Sequence, residues 1–180
     1  MTNDMEFLEA LRHKRHDWLN IVQLIKMNLA LGRYERIEEL IHTTVQQCVN
    51  ESKLSNLGIS RLAEDLITYN WKNEHHNRMQ LEINVVGSER DLHPYEPILD
   101  KVIKKIIFTF AEQSEWASEN QLLLTIVLNE NECELLFLFE GTLTIKKVDL
   151  FVLLESIEPK IEVVEWQMDT CLLKTSVRLN

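Results

Sequence analysis

The chain has 180 residues, 45% of them hydrophobic, with four Gly and three Pro. That composition supports one domain or two small ones with a proper core and excludes a disordered chain. A formal net charge of −10 repels nucleic acid, so DNA or RNA is not an expected partner.

The opening Met1-Thr2-Asn3-Asp4-Met5-Glu6 has neither a basic nor an apolar signal region, so no signal peptide is expected. Residues 4–31 contain no Gly or Pro and repeat their apolar positions at helical spacing. Phe7, Leu8, Leu11, Trp18, Val22, Ile25 and Leu29 fall in one stripe. Positions 11, 15, 18, 22, 25 and 29 follow the four-three step of a coiled-coil seam, interrupted by Arg15. Gly32 is a helix stop. A second helix is expected over about Tyr34–Lys53, with Tyr34, Ile37, Ile41, Cys48 and Ser52 on one face. Glu35, Glu38 and Glu39 lie near its start, where the helix dipole favours them. Two long helices joined by so short a turn run antiparallel. Such a hairpin has little core of its own, whereas two copies side by side make a four-helix bundle. A homodimer held by residues 4–53 is therefore expected.

Ser55-Asn56-Leu57-Gly58 breaks the pattern. A helix is predicted over 59–76, a strand over Gln80–Val86 ending at Gly87, and a long amphipathic helix over Pro94–Ser118. Gln121–Leu128 and Cys133–Glu140 read as apolar strands around a polar turn, followed by a short helix at 148–157 and a hairpin of Lys160–Trp166 and Cys171–Arg178. The fold class is α+β. A helical hairpin (1–54) for dimerisation and phosphotransfer precedes an α/β sandwich (55–180) with helices on one face of a mixed sheet. The longest apolar runs, Leu122–Leu128 and Leu135–Phe139, are too short to span a bilayer. Cys48, Cys133 and Cys171 have no ligand-like spacing and suit buried, reduced thiols, which places the expected compartment in the cytoplasm, without a membrane.

The chemistry is expected on the first helix. His16 lies about 130–140° from the centre of the apolar stripe and so projects into solvent. Arg12, Asn20 and Gln23 share its side, at the spacings that make helix neighbours. Around it runs Arg12-His13-Lys14-Arg15-His16, a basic cluster in an acidic chain. A neutral imidazole nitrogen can attack a phosphoryl group and hold it as a phosphoramidate. Basic neighbours would steer an acidic partner and offset phosphoryl charge, and Asn20 could hydrogen-bond the ring or the phosphoryl oxygens. The same residues also read as a solvated helix face carrying an ordinary surface histidine.

His16-Asp17-Trp18-Leu19-Asn20 resembles the phosphoacceptor box of the sporulation initiation phosphotransferase B family, and the His-Asp/Glu-aromatic-x-Asn signature of the related citrate/fumarate-type sensor kinases. The likeness extends from Arg15 through Gln23-Leu24-Ile25-Lys26 and Asn28-Leu29. It resumes in Glu51-Ser52-Lys53-Leu54-Ser55-Asn56-Leu57 and Asn70-Trp71-Lys72. The resemblance implies a dimeric four-helix bundle followed by a degenerate kinase-like ATPase domain. It implies a phosphorelay phosphotransferase that takes phosphate from a single-domain response regulator and hands it to the receiver domain of a sporulation transcription regulator. The phosphorylated residue then falls on His16, with Arg15, Asp17, Asn20 and Gln23 around it. Mg2+ is expected in the partner regulator, with no cofactor or metal bound by this chain.

Histidine-kinase ATP domains need an Asn-bearing helix and Gly-rich loops. Here Phe110 stands where the Asn would precede Ala111, and Glu140-Gly141 is the nearest remnant of a Gly motif. Four Gly cannot build two Gly-rich loops that approach phosphates closely, so residues 58–180 read as a shell without ATP chemistry. Glu74-His75-His76 with His93 lacks a metal-site spacing; His42 reads as a surface or interface residue; Trp71, Trp116 and Trp166 read as core or domain-contact residues. Two other readings are a non-catalytic dimeric adaptor that binds response regulators, separated by His16→Gln, and an ATP-dependent kinase, which would label itself from ATP alone.

Overall fold

The computed structural model describes residues 2–72, 78–116 and 118–179. The chain forms two compact units, Met1–Val49 and Asn50–Asn180. In the first, helix α1 (Thr2–Ala30) leads into helix α2 (Tyr34–Ser55), whose last residues enter the second unit. The turn follows from the sequence: Gly32 takes φ +66°, so Arg33 N–H reaches Asn28 O at 2.9 Å and Gly32 N–H reaches Leu29 O at 3.1 Å. This pairing satisfies carbonyls that the helix end would otherwise leave bare. No described side chain among residues 8–49 is buried. Leu11, Trp18, Val22 and Leu29 on α1 are exposed, as are Tyr34, Ile41, Val45 and Val49 on α2.

The second unit begins with the tail of α2, where Leu54 is buried and Lys53 Nζ donates to Val85 O at 3.1 Å. Helix α3 (Ser60–Lys72), strand β1 (Gln80–Gly87), a 3-10 turn (His93–Tyr95) and helix α4 (Glu96–Gln113) follow. Then come β2 (Gln121–Leu128), β3 (Glu132–Glu140), α5 (Lys147–Leu154), β4 (Glu162–Trp166) and β5 (Thr170–Arg178). The five strands form one sheet in the order β1-β2-β3-β5-β4. β1 and β2 are parallel, which requires a crossover, and α4 lies in it. The other pairs are antiparallel.

Strands β2, β3 and β5 bury every second residue, because alternate side chains point to opposite faces. Leu122, Leu124, Ile126, Leu135, Phe137, Phe139 and Leu173 thus join Leu99, Val102, Ile103, Ile106 and Phe110 of α4 and Leu62 and Leu66 of α3 in one core. The start of α3 is fixed from α4: Glu96 Oε1 accepts the N–H groups of Arg61 at 3.0 Å and Leu62 at 3.2 Å, supplying partners and a negative charge to a helix N-terminus.

Three expectations need correction. The helix predicted to Ser118 ends at Gln113, because Ser114 turns extended (ψ 140°) and bridges to Leu143. The loop beyond winds around buried Asn120, whose Nδ2 donates to the carbonyls of Arg78 (2.7 Å), Glu115 (2.8 Å) and Ser118 (3.1 Å), while its Oδ1 accepts Thr142 N–H at 2.9 Å. Of the three thiols expected to be buried, Cys133 and Cys171 are, but Cys48 is exposed, since the hairpin contains no core to receive it. Trp116 is exposed rather than packed, with the Arg78 guanidinium 4.5 Å above its ring. The helix predicted over 59–76 is seen over Ser60–Lys72; its end, with Glu74, His75 and His76, lies outside the described residues.

Candidate functional site

The unbroken run of helix formers in α1 places residues 12, 16, 20 and 23 along one side of the helix. His16 stands there with its side chain 68% exposed. Its Nδ1 faces two side chains of its own helix. Asn20 Nδ2 lies at 3.2 Å, one turn on, and the Asp17 carboxylate Oδ1 lies at 3.7 Å, near enough to act electrostatically and too far for a hydrogen bond. Nε2 has no such partner among the described residues.

This arrangement makes the two ring nitrogens unequal. As oriented, Asn20 Nδ2–H donates to the Nδ1 lone pair, which puts the proton of the neutral ring on Nε2. With the amide turned end for end, Oδ1 accepts from Nδ1–H and leaves Nε2 bare. The neighbouring carboxylate favours that second tautomer, because it attracts a proton on Nδ1. Asn20 can serve either state, since an amide carries a donor and an acceptor.

Arg12, Arg15, Asn20 and Gln23 are all exposed, and Asp17 is half-buried. Of the sequence-derived residues, the structure brings Asn20 and Asp17 to the ring. Among the described residues, Arg12, Arg15 and Gln23 show no hydrogen bond or ion pair to it; they lie exposed on the helix surface. His42 is exposed on α2. His93 is exposed, with Nδ1 3.9 Å from Glu96 Oε2, and no group of His, Cys, Asp or Glu able to hold a metal occurs among the described residues.

In the second unit, Phe110 is fully buried and stacks on Phe139, with ring centroids 5.0 Å apart and planes inclined by 6°. An aromatic pair therefore fills the place where a kinase-type Asn was sought. Gly141 sits at φ +142° with its backbone against Asn120, whose Oδ1 would lie 2.3 Å from any added Cβ. The organising role of Asn120 escaped the sequence reading, because a single Asn before a strand carries no pattern. Burial pushes the thiols of Cys133 and Cys171 up to about 12.

Two family models divide the chain. The description "Sensor_kinase_SpoOB-type, alpha-helical domain" matches residues 1–57, and "Sporulation initiation phospho-transferase B, C-terminal" matches residues 58–178. Sporulation initiation phosphotransferase B of Bacillus subtilis (strain 168) is 39% identical over 131 residues, spanning 73% of this chain and 67% of that protein. Among solved structures, Acinetobacter baumannii histidine kinase AdeS aligns with a TM-score of 0.48 at 12% identity, over 93% of this chain and 98% of that one. A histidine kinase from Burkholderia phymatum STM815 aligns with a TM-score of 0.49 at 12% identity, over 95% and 94%.

Proposed function

The chain belongs to the sporulation initiation phosphotransferase B family, and from that premise we propose that it relays a phosphoryl group through His16. The activity is phosphotransfer in the relay that initiates sporulation, and response regulators are its partners. The observation that carries the assignment to His16 is a solvent-facing imidazole whose Nδ1 is engaged by its own helix turn while Nε2 stays open.

In the proposed step, with the Asn20 amide turned so that Oδ1 accepts Nδ1–H, the Nε2 lone pair attacks the phosphorus of a regulator's aspartyl phosphate. The bond from phosphorus to the aspartyl oxygen breaks, and its electrons return to that carboxylate. The positive charge left on the imidazole is spread toward Asp17 and Asn20 through Nδ1–H. The second half runs in reverse, onto the aspartate of the acceptor's receiver domain. Little bond-making help is needed from the protein, so positioning and charge neutralisation dominate. Arg12 and Arg15 attract the regulator's acidic pocket, and Asn20 and Gln23 offer hydrogen bonds near the transferred group. Mg2+ belongs to that pocket, and this chain brings no cofactor. The donor is a single-domain regulator and the acceptor the receiver of a sporulation transcription regulator, both read from the family resemblance.

The division proposed is a hairpin of 1–54 and a scaffold of 55–180. The exposed apolar residues of α1 and α2 support a homodimer in which two hairpins close a four-helix bundle. Among the described residues no helix is long and apolar enough to cross a membrane, and relay with response regulators fits the cytoplasm.

The test is to mix the purified chain with a regulator phosphorylated on its aspartate. Acid-labile, base-stable phosphate should appear on the chain and vanish in His16→Gln. A His16→Gln protein that still supports the relay would leave only the adaptor reading.

A further inference from the structure

Strand β1 forms one edge of the sheet and β4 the other. An edge strand presents a row of unpaired N–H and C=O groups on which another chain can add a strand. β4 is protected by its own sequence: it has five residues, a break in register between Val163 and Glu165, and the carboxylates of Glu162 and Glu165. β1 has little such protection. It is eight residues long, pairs with β2 without a break from Gln80 to Gly87, contains no Pro, Lys or Arg, and has Glu82 as its one charged residue. Its outer side is covered by borrowed side chains instead. Asn70, on α3, meets both backbone groups of Leu81: its Nδ2 donates to Leu81 O and its Oδ1 accepts Leu81 N–H, each at 2.9 Å. Asn50 and Lys53, on the last turns of α2, do the same for Val85: Asn50 Oδ1 accepts Val85 N–H at 3.4 Å, and Lys53 Nζ donates to Val85 O at 3.1 Å. All of these residues belong to the second unit. Each set supplies one donor and one acceptor, as the peptide groups of a neighbouring strand would.

We propose that Asn50, Lys53 and Asn70 are a guard that keeps the β1 edge closed to strand addition by a second copy of this chain. The strand that the guard excludes is the copy's own β1. Two β1 edges related by a two-fold axis pair antiparallel and offer the same groups twice, so that two five-stranded sheets join edge to edge. Leu81 and Val85 lie an even number of residues apart, and their backbone groups point to the same outer side. With both occupied, no two successive outward positions of β1 are open between them, and an incoming strand has to displace at least one side chain. Two of the three guarding residues stand on the tail of α2, which is held in the second unit by buried Leu54. The edge is therefore closed only while that tail is docked. Lifting it bares Val85 N–H and C=O, and unpartnered backbone groups favour pairing with any strand at hand.

The experiment compares the full chain with its Asn50→Ala/Lys53→Met/Asn70→Ala variant, by sedimentation velocity over a concentration series and by amide exchange. In dilute solution the Leu81 and Val85 amides of the variant should exchange about tenfold faster than those of the parent, as the loss of one hydrogen bond each implies. As concentration rises, a species heavier than any the parent forms should appear, and both amides should slow again. Adding Asn84→Lys puts a cation on β1, on the face opposite Leu81 and Val85, and should restore the parent's sedimentation profile. A variant that keeps the parent's mass at every concentration overturns the proposal, and so does unchanged exchange at both amides. A heavier species that persists with Asn84→Lys overturns it as well, since the contact then lies away from β1. Lys53→Met alone exchanges one good helix former for another and serves if the triple variant does not fold. It should form the heavier species only at higher concentration, and a parent-like profile throughout ends the proposal.

Discussion

His16 meets unlike surroundings at its two nitrogens, and that inequality is where residue-scale predictions begin. Among the described residues, Asn20 is the only side chain at hydrogen-bond distance from Nδ1. Removing it in Asn20→Ala takes away the amide that can accept Nδ1–H while Nε2 attacks, and frees the ring's rotamer. We expect phosphotransfer to slow about tenfold, equivalent to ~1.4 kcal/mol in the barrier, with His16 still labelled at the end point; rapid-quench measurement of acid-labile phosphate checks it. The buried thiols give a pH dependence of definite sign. Cys133 and Cys171 sit near 9.0 when unperturbed and are pushed up to about 12 by burial. Below pH 9 both folded and unfolded chains keep these protons. Between pH 9 and 12 the unfolded chain loses them first, so stability is lost as pH rises, by up to about 1.4 kcal/mol per pH unit per thiol. Denaturant melts at pH 8, 9 and 10 should show that fall, and Cys133→Ala should flatten it. In the folded protein at pH 8 a thiol reagent should spare Cys133 and Cys171.

At the scale of elements, turns decide how helices and strands are joined. Gly32 has open space where a Cβ would go, so Gly32→Ala meets only the left-handed backbone cost, about 1 kcal/mol. Gly87, at φ +101°, closes β1 against β2, and an added Cβ would stand 2.4 Å from Leu128 O. That neighbour is backbone and cannot swing aside, so Gly87→Ala should cost about 2–4 kcal/mol. Thermal melts of the two variants should rank them in that order. The same scale explains why α4 stops where it does. The buried amide of Asn120 gathers the carbonyls of three loop residues, and this local pairing outcompetes a further helical turn that amphipathic periodicity alone would permit.

The molecule as a whole is uneven in how it is held together. The second unit has a closed core from α3, α4 and the sheet, whereas no described side chain among residues 8–49 of the hairpin is buried. Helices that expose Leu11, Trp18, Val22 and Leu29 gain stability only when that stripe is covered. A charge placed there should therefore act on assembly and on helicity together. If two hairpins close the proposed bundle, Val22→Asp should sediment as a monomer where the parent sediments as a dimer, and should lower the helical signal of the hairpin, while the cooperative melt of the second unit persists. Retention of the dimer by Val22→Asp would sink the bundle arrangement.

Much of this was legible in residue order. The breaker-free run of 4–31, the stop at Gly32 and the strict alternation in β2, β3 and β5 determine elements locally, because helix and strand periods are properties of the backbone. The outward direction of His16 and its pairing with Asn20 follow from the same 3.6-residue repeat. Pairings between distant segments had no such signal. The parallel match of β1 with β2, the stacking of Phe110 on Phe139, the collection of loop carbonyls by Asn120 and the exposure of Cys48 and Trp116 depend on which surfaces meet. So does the exposure of Val148 and Val152 on α5, whose sequence is apolar nearly throughout and so does not disclose which side the core takes. Local order thus set the helix and its histidine, and long-range packing decided which apolar residues were left exposed, since burial is shared among segments that no single stretch of chain contains.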